Sequence, residues 1–260
     1  MRIVILNNSD DVAAYGAQLI IRQIQTKPDS VLGLATGSSP MKLYDKLVEA
    51  VAAGDVSLSQ CVSFNLDEYV GLAPDHDQSY RSFMQKHLFE RVDIRIENTH
   101  VPDGLALDPE DMCAQYEQAI RDHHGIDFQL LGIGANGHIG FNEPSSSLRS
   151  RTRIKTLTMQ TVEDNARFFR ADEFQPELAI TMGIETIMES RQIMLLATGE
   201  HKAAAVKAMI EGPVSASCPA SILQFHPKAT IVLDTAAAGQ LENTQFYQRV
   251  EQEAQKFEAK

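Results

Sequence analysis

Apolar residues arrive in short blocks, separated by longer stretches in which they recur every three or four positions. The blocks are Ile3–Leu6, Val31–Ala35, Val62–Leu66, Phe128–Ile133, Ile193–Ala197 and Thr230–Leu233. Blocks of this length, bounded by polar or glycine-containing turns, read as buried strands. Between them Val12–Ile24 and Met41–Ala53 carry apolar residues at helical spacing. Ser9-Asp10-Asp11 precedes the first, with the composition of a cap and an acidic first turn. Strands alternating with helices predict an α/β fold with an open, mostly parallel sheet and helices on both faces, in a single domain. Two polar stretches break the alternation. Gly71–Tyr80 is a loop directly after a strand, and Thr158–Pro176, rich in Asn, Arg, Asp and Phe, reads as a lid over residues 158–176. From Gln240 onward Tyr247, Val250, Ala254 and Phe257 recur at helical spacing among charges, which predicts an amphipathic docking helix over 240–260.

Composition narrows the function. A chain of 260 residues suits one large α/β domain, and 43% hydrophobic with 22% charged residues excludes wholesale disorder. With 23 Lys+Arg against 35 Asp+Glu the net charge is −12, which argues against a nucleic-acid partner. An anionic small substrate stays open, because a local site can be positive on an acidic protein. The three cysteines, Cys61, Cys113 and Cys218, are widely spaced and form no C-x-x-C pair. No disulfide framework or thiolate zinc site is expected, and the cytoplasm is the expected compartment. No run approaches the roughly 18 apolar residues of a membrane span, and Met1-Arg2 opens no signal peptide, so no membrane partner is expected.

Three loops after predicted strands hold more polar chemistry than a connection needs, at the place where open α/β sheets bind ligands. Thr36-Gly37-Ser38-Ser39-Pro40 leads into a helix. It reads as an ordinary cap, with Ser39 capping and Pro40 at the first helical position, or as an anion cradle of amides and hydroxyls, and the two share one geometry. It lacks the Gly-Lys-Ser/Thr of a nucleotide P-loop. Asn65-Leu66-Asp67-Glu68-Tyr69 ends a strand with two carboxylates. They point in opposite directions on an extended chain, so one can act on a substrate while the other serves a turn or a helix start. Gly132-Ile133-Gly134-Ala135-Asn136-Gly137-His138-Ile139-Gly140-Phe141-Asn142-Glu143-Pro144 combines a glycine-rich turn with a His and a carboxylate, an acid/base pair in one loop. It is not a metal site, having no second His at helical spacing and no cysteine beside it. His123-His124 follows a helix and is expected in solvent.

These loops resemble, in order, those of the glucosamine-6-phosphate deaminase (isomerase) family. The matching pieces are LATGSSP (Leu34–Pro40), FNLDEYVGL (Phe64–Leu72), SYRSFM (Ser79–Met84), LGIGANGHIGFNEP (Leu131–Pro144) and SSLRSRTRIKTL (Ser146–Leu157), and the resemblance runs from Arg2 to about residue 235. It implies a modified Rossmann-like sheet without nucleotide binding. The implied reaction turns D-glucosamine 6-phosphate and water into D-fructose 6-phosphate and ammonia, with no metal or organic cofactor. By the same matching Asp67 is the base at C2 and His138 opens the ring, with Glu143 supporting it. Asn136 stands where several members carry Asp, and it keeps hydrogen bonding to the His without the charge. Gly37, Ser38 and Ser39, with Arg167 and Lys202, match the phosphate ligands.

Some members of that family are hexamers activated by N-acetylglucosamine 6-phosphate between subunits. Ser146, Arg153 and Lys155 match that allosteric site, with the two cations on one face of a strand; a solvated basic edge is the plainer reading of the same residues. Phe246 and Tyr247 fall near a C-terminal aromatic of the allosteric members. The expected partners are therefore a sugar phosphate, an acetylated sugar-phosphate activator and other copies of the chain in a homohexamer. A galactosamine-6-phosphate deaminase/isomerase shares these loops, and SSLRSRTRIKTL is closer to the glucosamine enzymes. A sugar-phosphate-sensing domain of a transcription regulator would need a DNA-binding extension, which a first strand at Ile3 does not lead one to expect.

Overall fold

A computed structural model describes residues 1–166, 169–170 and 174–258. The strands are β1 (Arg2–Leu6), β2 (Val31–Leu34), β3 (Val62–Asn65), β4 (Asp67–Tyr69), β5 (Thr99–His100), β6 (Phe128–Leu131), β7 (Arg153–Thr156), β8 (Leu178–Thr181), β9 (Gln192–Ala197) and β10 (Ala229–Asp234). The helices are α1 (Ser9–Thr26), α2 (Met41–Ala53), α3 (Tyr80–His87), α4 (Pro109–Asp122), α5 (Met159–Ala166), α6 (Ile184–Met188), α7 (Ala203–Ile210) and α8 (Thr244–Glu258).

Seven strands form one sheet in the order β1-β10-β9-β6-β2-β3-β5, parallel at every pairing. Its central strands are buried along their whole length, β2 as VLGL and β6 as FQLL, the continuous pattern of a sheet covered on both sides. Burying a large apolar side chain is worth about 1.5–3 kcal/mol, and Phe64, Leu32, Leu130 and Leu195 are all essentially without exposure. From β2 the chain builds outward through β3 to β5, then returns to lay β6 on the other side of β2. That reversal opens a crevice at the carboxyl ends of β2 and β6, the usual ligand position in such sheets. A second sheet, β4-β8-β7, is antiparallel and pairs Asp67 with Thr181 and Thr181 with Arg153.

The α/β architecture expected from the sequence is present, and several boundaries differ for physical reasons. β3 stops at Asn65, because Asp67 already belongs to the second sheet. β6 stops at Leu131, where the glycine-rich loop leaves the sheet. Asn8, not Ser9, caps α1, its Oδ1 accepting from the backbone N–H of Asp10 and Asp11 at 2.9 and 3.0 Å. Ser39 does not cap α2: Pro40 occupies the cap position with helical backbone and no side chain caps it. His123 is half-buried instead of solvated, its ring centroid 5.7 Å from those of Phe64 and His100, because the end of α4 lies over the β3–β5 edge.

α8 docks against β1 as expected, and half of the expected stripe faces inward. Tyr247, Glu251 and Ala254 turn inward, with Glu251 paired to Arg2 at 2.6 Å, while Val250 and Phe257 are 46% and 74% exposed. Val250 and Phe257 sit a turn's fraction to one side of the inward line, whose centre is marked by the half-buried Arg2–Glu251 ion pair. Among the described residues no helix is long and apolar enough to cross a membrane.

Candidate active site

Four loops leave the carboxyl ends of strands that are neighbours, β9, β6, β2 and β3, and enclose a cavity of about 590 Å³. Its wall contains Thr36, Gly37, Ser38 and Ser39 after β2, Asp67 after β3, Gly134 and His138 after β6, and His201 and Lys202 after β9. Sequence reasoning named Gly37, Ser38, Ser39, Asp67, His138 and Lys202, and the fold brings these six to one cavity. Arg167 lies outside the described residues, as does part of the segment expected to form a lid. A smaller cavity of about 250 Å³, beside Ile120, His124 and Glu189, lies away from this set.

Asp67 reaches the cavity because the chain changes sheets. Leu66 accepts the Met182 amide at 2.6 Å and turns the backbone into β4, where alternation sends Asp67 and Glu68 to opposite sides. Glu68 turns to the start of α3 and accepts the backbone N–H groups of Tyr69, Tyr80 and Arg81 at 2.9–3.0 Å. Asp67 is 6% exposed. Burial first, and the Glu68 charge second, push its carboxyl up to about 8, so it is a far stronger base than an ordinary carboxylate.

The β6 loop is fixed to the same place. Phe141 N–H donates to Thr181 Oγ1 at 3.0 Å, and Asn142 Nδ2 donates to the carbonyls of Ile139 and Met182 at 2.9 and 2.8 Å. Gly140 has φ +57°, and a Cβ there would stand 3.0 Å from Thr181 Oγ1 and 3.4 Å from Asp67 Oδ2; only glycine allows the loop to lie against the Asp67 carboxylate. The His138 ring lies on Gly134 so closely that a Cβ at that position would be 2.3 Å from it.

Glu143 is buried and its two oxygens are divided. Oε2 accepts Asn136 Nδ2 at 2.7 Å and stands 3.4 Å from His138 Nδ1, a charge contact longer than a formed hydrogen bond. Oε1 accepts the Thr161 hydroxyl at 2.5 Å. Burial alone would push this carboxyl up; the adjacent His138 ring, Thr161 and Asn136 together outweigh it and hold it at about 2. Asn136 therefore does not orient the imidazole directly. Its Oδ1 accepts the His138 backbone N–H at 3.2 Å, and Glu143 is the group facing the ring.

Ser146, Arg153 and Lys155 are not in the cavity wall. Arg153 and Lys155 share a face of β7, the edge strand of the second sheet, and the Ser146 hydroxyl is buried with no hydrogen-bond partner among the described residues. Arg153 Nη1 donates to Asn142 Oδ1 at 2.9 Å, one residue from Glu143. Loop chemistry did not single out Thr161 or His201, nor the aromatic wall of Tyr80 stacked on Phe141 at 6.0 Å. Tyr80 stood inside a family-like motif, whereas nothing in local spacing marks Thr161. Among the described residues no group of His, Cys, Asp and Glu is arranged to hold a metal ion.

Residues 7–232 match the family model described as glucosamine-6-phosphate isomerases/6-phosphogluconolactonase. The glucosamine-6-phosphate deaminase of Cellvibrio japonicus is 60% identical over 257 residues, covering 99% of this chain and 98% of its own. That of Shewanella woodyi is 58% identical over 260 residues, covering 100% and 98%. The solved structure of a monomeric glucosamine-6-phosphate deaminase superposes with a TM-score of 0.90 at 40% identity, over 92% of this chain and 99% of that one.

Proposed function

The chain belongs to the glucosamine-6-phosphate isomerase/6-phosphogluconolactonase family, and on that premise we propose that it converts D-glucosamine 6-phosphate and water into D-fructose 6-phosphate and ammonia. It is an enzyme of amino sugar breakdown, joining an aldose–ketose isomerisation to a deamination. The observation that carries this is the cavity itself, which brings the Asp67 carboxylate and the His138 ring facing Glu143 together with an uncapped helix start and Lys202.

The phosphate lies on Gly37, Ser38 and Ser39 with Lys202, where the first amides of α2 and an ammonium meet a dianion; Arg167 is assigned to the same end. The sugar ring then extends toward His138. With Nδ1 facing Glu143, Nε2 is the ring nitrogen left to move a proton between the anomeric hydroxyl and the ring oxygen, which breaks the C1–O5 bond. Glu143 stabilises the imidazolium that forms on the way. Asp67 takes the C2 proton of the open 2-amino aldose, giving an enolamine across C1 and C2, and returns a proton to C1. The product is the 2-imine of the ketose; water adds at C2 and ammonia leaves. A carboxylate at about 8 suits this, since a base with a pKa near the working pH combines availability with strength.

Residues 158–176 serve as the lid, with α5 presenting Thr161 to the cavity and Phe169 packed 6.0 Å from Tyr69. The enzyme works in the cytoplasm, as its three free cysteines suit. It assembles as a homohexamer activated by N-acetylglucosamine 6-phosphate at Ser146, Arg153 and Lys155. The Arg153–Asn142 bond supports this by linking the effector residues to the loop of Glu143. A monomer is the second reading, favoured by the 40%-identical relative described as monomeric. Light scattering separates the two. The function is tested by ammonia release from glucosamine 6-phosphate assayed beside its galacto epimer; no release from glucosamine 6-phosphate would overturn it, whether or not the galacto epimer reacts.

A further inference from the structure

We propose that Thr161 is a positioning residue for the His138–Glu143 pair, so that the ring-opening machinery is completed by the helix that covers the cavity. The proposal rests on the ring-opening role given to His138 above. The β6 loop partners only one oxygen of Glu143: Asn136 and His138 both face Oε2. The other oxygen is partnered from α5, eighteen residues away in sequence, by the buried Thr161 hydroxyl. Thr158 Oγ1 lies 3.0 Å from Thr161 Oγ1 and accepts the Thr161 backbone N–H at 3.3 Å. A hydroxyl has one proton, and that of Thr161 goes to the carboxylate. Thr158 therefore donates to Thr161, and a directed chain runs from Thr158 through Thr161 to Glu143 and on to the catalytic loop.

A terminal carboxylate torsion is broad and intrinsically poorly held, so the direction of Oε2 depends on what holds Oε1. Without the hydroxyl, a buried ionised oxygen loses its partner and the carboxylate can turn to find another. His138 then loses the group that stabilises its charged form. Because the hydroxyl rides on α5 and not on the β6 loop, the pair is aligned only while α5 is seated.

The test compares Thr161→Val, which keeps the shape and removes the hydroxyl, with Thr161→Ser, which keeps the hydroxyl and removes the methyl. Circular dichroism checks both folds, and Thr161→Ala serves as a second hydroxyl-free variant. Losing one charge-assisted hydrogen bond should lower kcat for ammonia release about tenfold or more in Val and Ala, with KM nearly unchanged. Thr161→Ser should stay close to wild type. Exchange at C1 of fructose 6-phosphate, which offers some open-chain ketose, should suffer less than ammonia release. A Val variant equal to wild type, a Ser variant as impaired as Val, or a rise in KM with kcat kept would overturn the proposal. A wild-type enzyme releasing no ammonia would instead overturn the functional reading beneath it.

Discussion

The two halves of the proposed site, the reacting groups and the phosphate cradle, are built in opposite ways. At the reacting end, Asp67 and Glu143 are buried, and each is held by structure contributed from distant parts of the chain: the β4–β8 pairing, the Thr181 and Asn142 bonds, and Thr161. At the β2 end, Gly37 and Ser38 are exposed, Gly37 has φ +86°, and the helix that follows begins without a side-chain cap. The contrast follows from the tasks. Proton transfer needs a fixed direction and a shifted pKa, which only burial and side-chain contacts supply. Holding a dianion, the task proposed for the other half, needs donors that face solvent, and the exposed β2 loop offers backbone amides beside the Lys202 side chain. Damage at the first end should appear in kcat, and damage at the second in KM.

The largest effect is expected from Asp67→Asn, which keeps the shape of the base and removes its basicity. Ammonia release should fall at least about 100-fold with circular dichroism unchanged. The same change should alter stability in a pH-dependent way. Between the ordinary carboxylate range and about 8, the unfolded chain gives up the proton that folded Asp67 keeps, so wild-type stability declines as pH rises through that window. The thermal midpoint of Asp67→Asn relative to wild type should therefore climb from pH 5 to pH 8 and level off above. A constant difference would place the burial penalty elsewhere. In wild type, kcat/KM should rise with pH toward about 8, since the free enzyme needs Asp67 ionised.

His138→Gln should come next, lowering ammonia release more than C1 exchange in fructose 6-phosphate; equal losses would remove the distinction between ring opening and proton shuttling. Lys202→Ala should raise KM about tenfold or more and leave kcat nearly intact, the signature of a lost charge-assisted contact to a part of the substrate that does not react. A fall in kcat at constant KM would erase the division between the two ends. The smallest change in maximal rate is expected from Arg153→Ala, which should abolish activation by the acetylated sugar phosphate and turn up in the shape of the substrate curve. A wild-type curve that is hyperbolic and indifferent to that ligand would end the allosteric reading.

The same contrast explains what the sequence made visible. Central strands such as β2 and β9 are buried on both sides and spell themselves out as apolar runs, so the sheet was legible. The second sheet was not: β4 is three residues, Asp67-Glu68-Tyr69, with two charges, and it exists only because β8 pairs with it. In the site, glycine and His announce the β6 loop because their backbone demands are local. Thr161 carries no such mark, since its meaning is a single hydrogen bond to a carboxylate in another segment. The Ser39 cap failed for a related reason: the residue fits a cap by composition, but Pro40 already has helical backbone and the turn is completed without it. Legibility followed locality.

The most direct test of the account is proton traffic at the sugar's first carbon. Fructose 6-phosphate is incubated with ammonium in D2O, and deuterium at C1 is followed by NMR for wild type, Asp67→Asn and Glu68→Gln. Wild type should place deuterium at C1, Asp67→Asn should place essentially none, and Glu68→Gln, whose side chain faces α3 and not the cavity, should retain exchange. Exchange by Asp67→Asn at a rate close to that of wild type would contradict the account, because the carboxylate that the change of sheets delivers to the cavity would then not be the base.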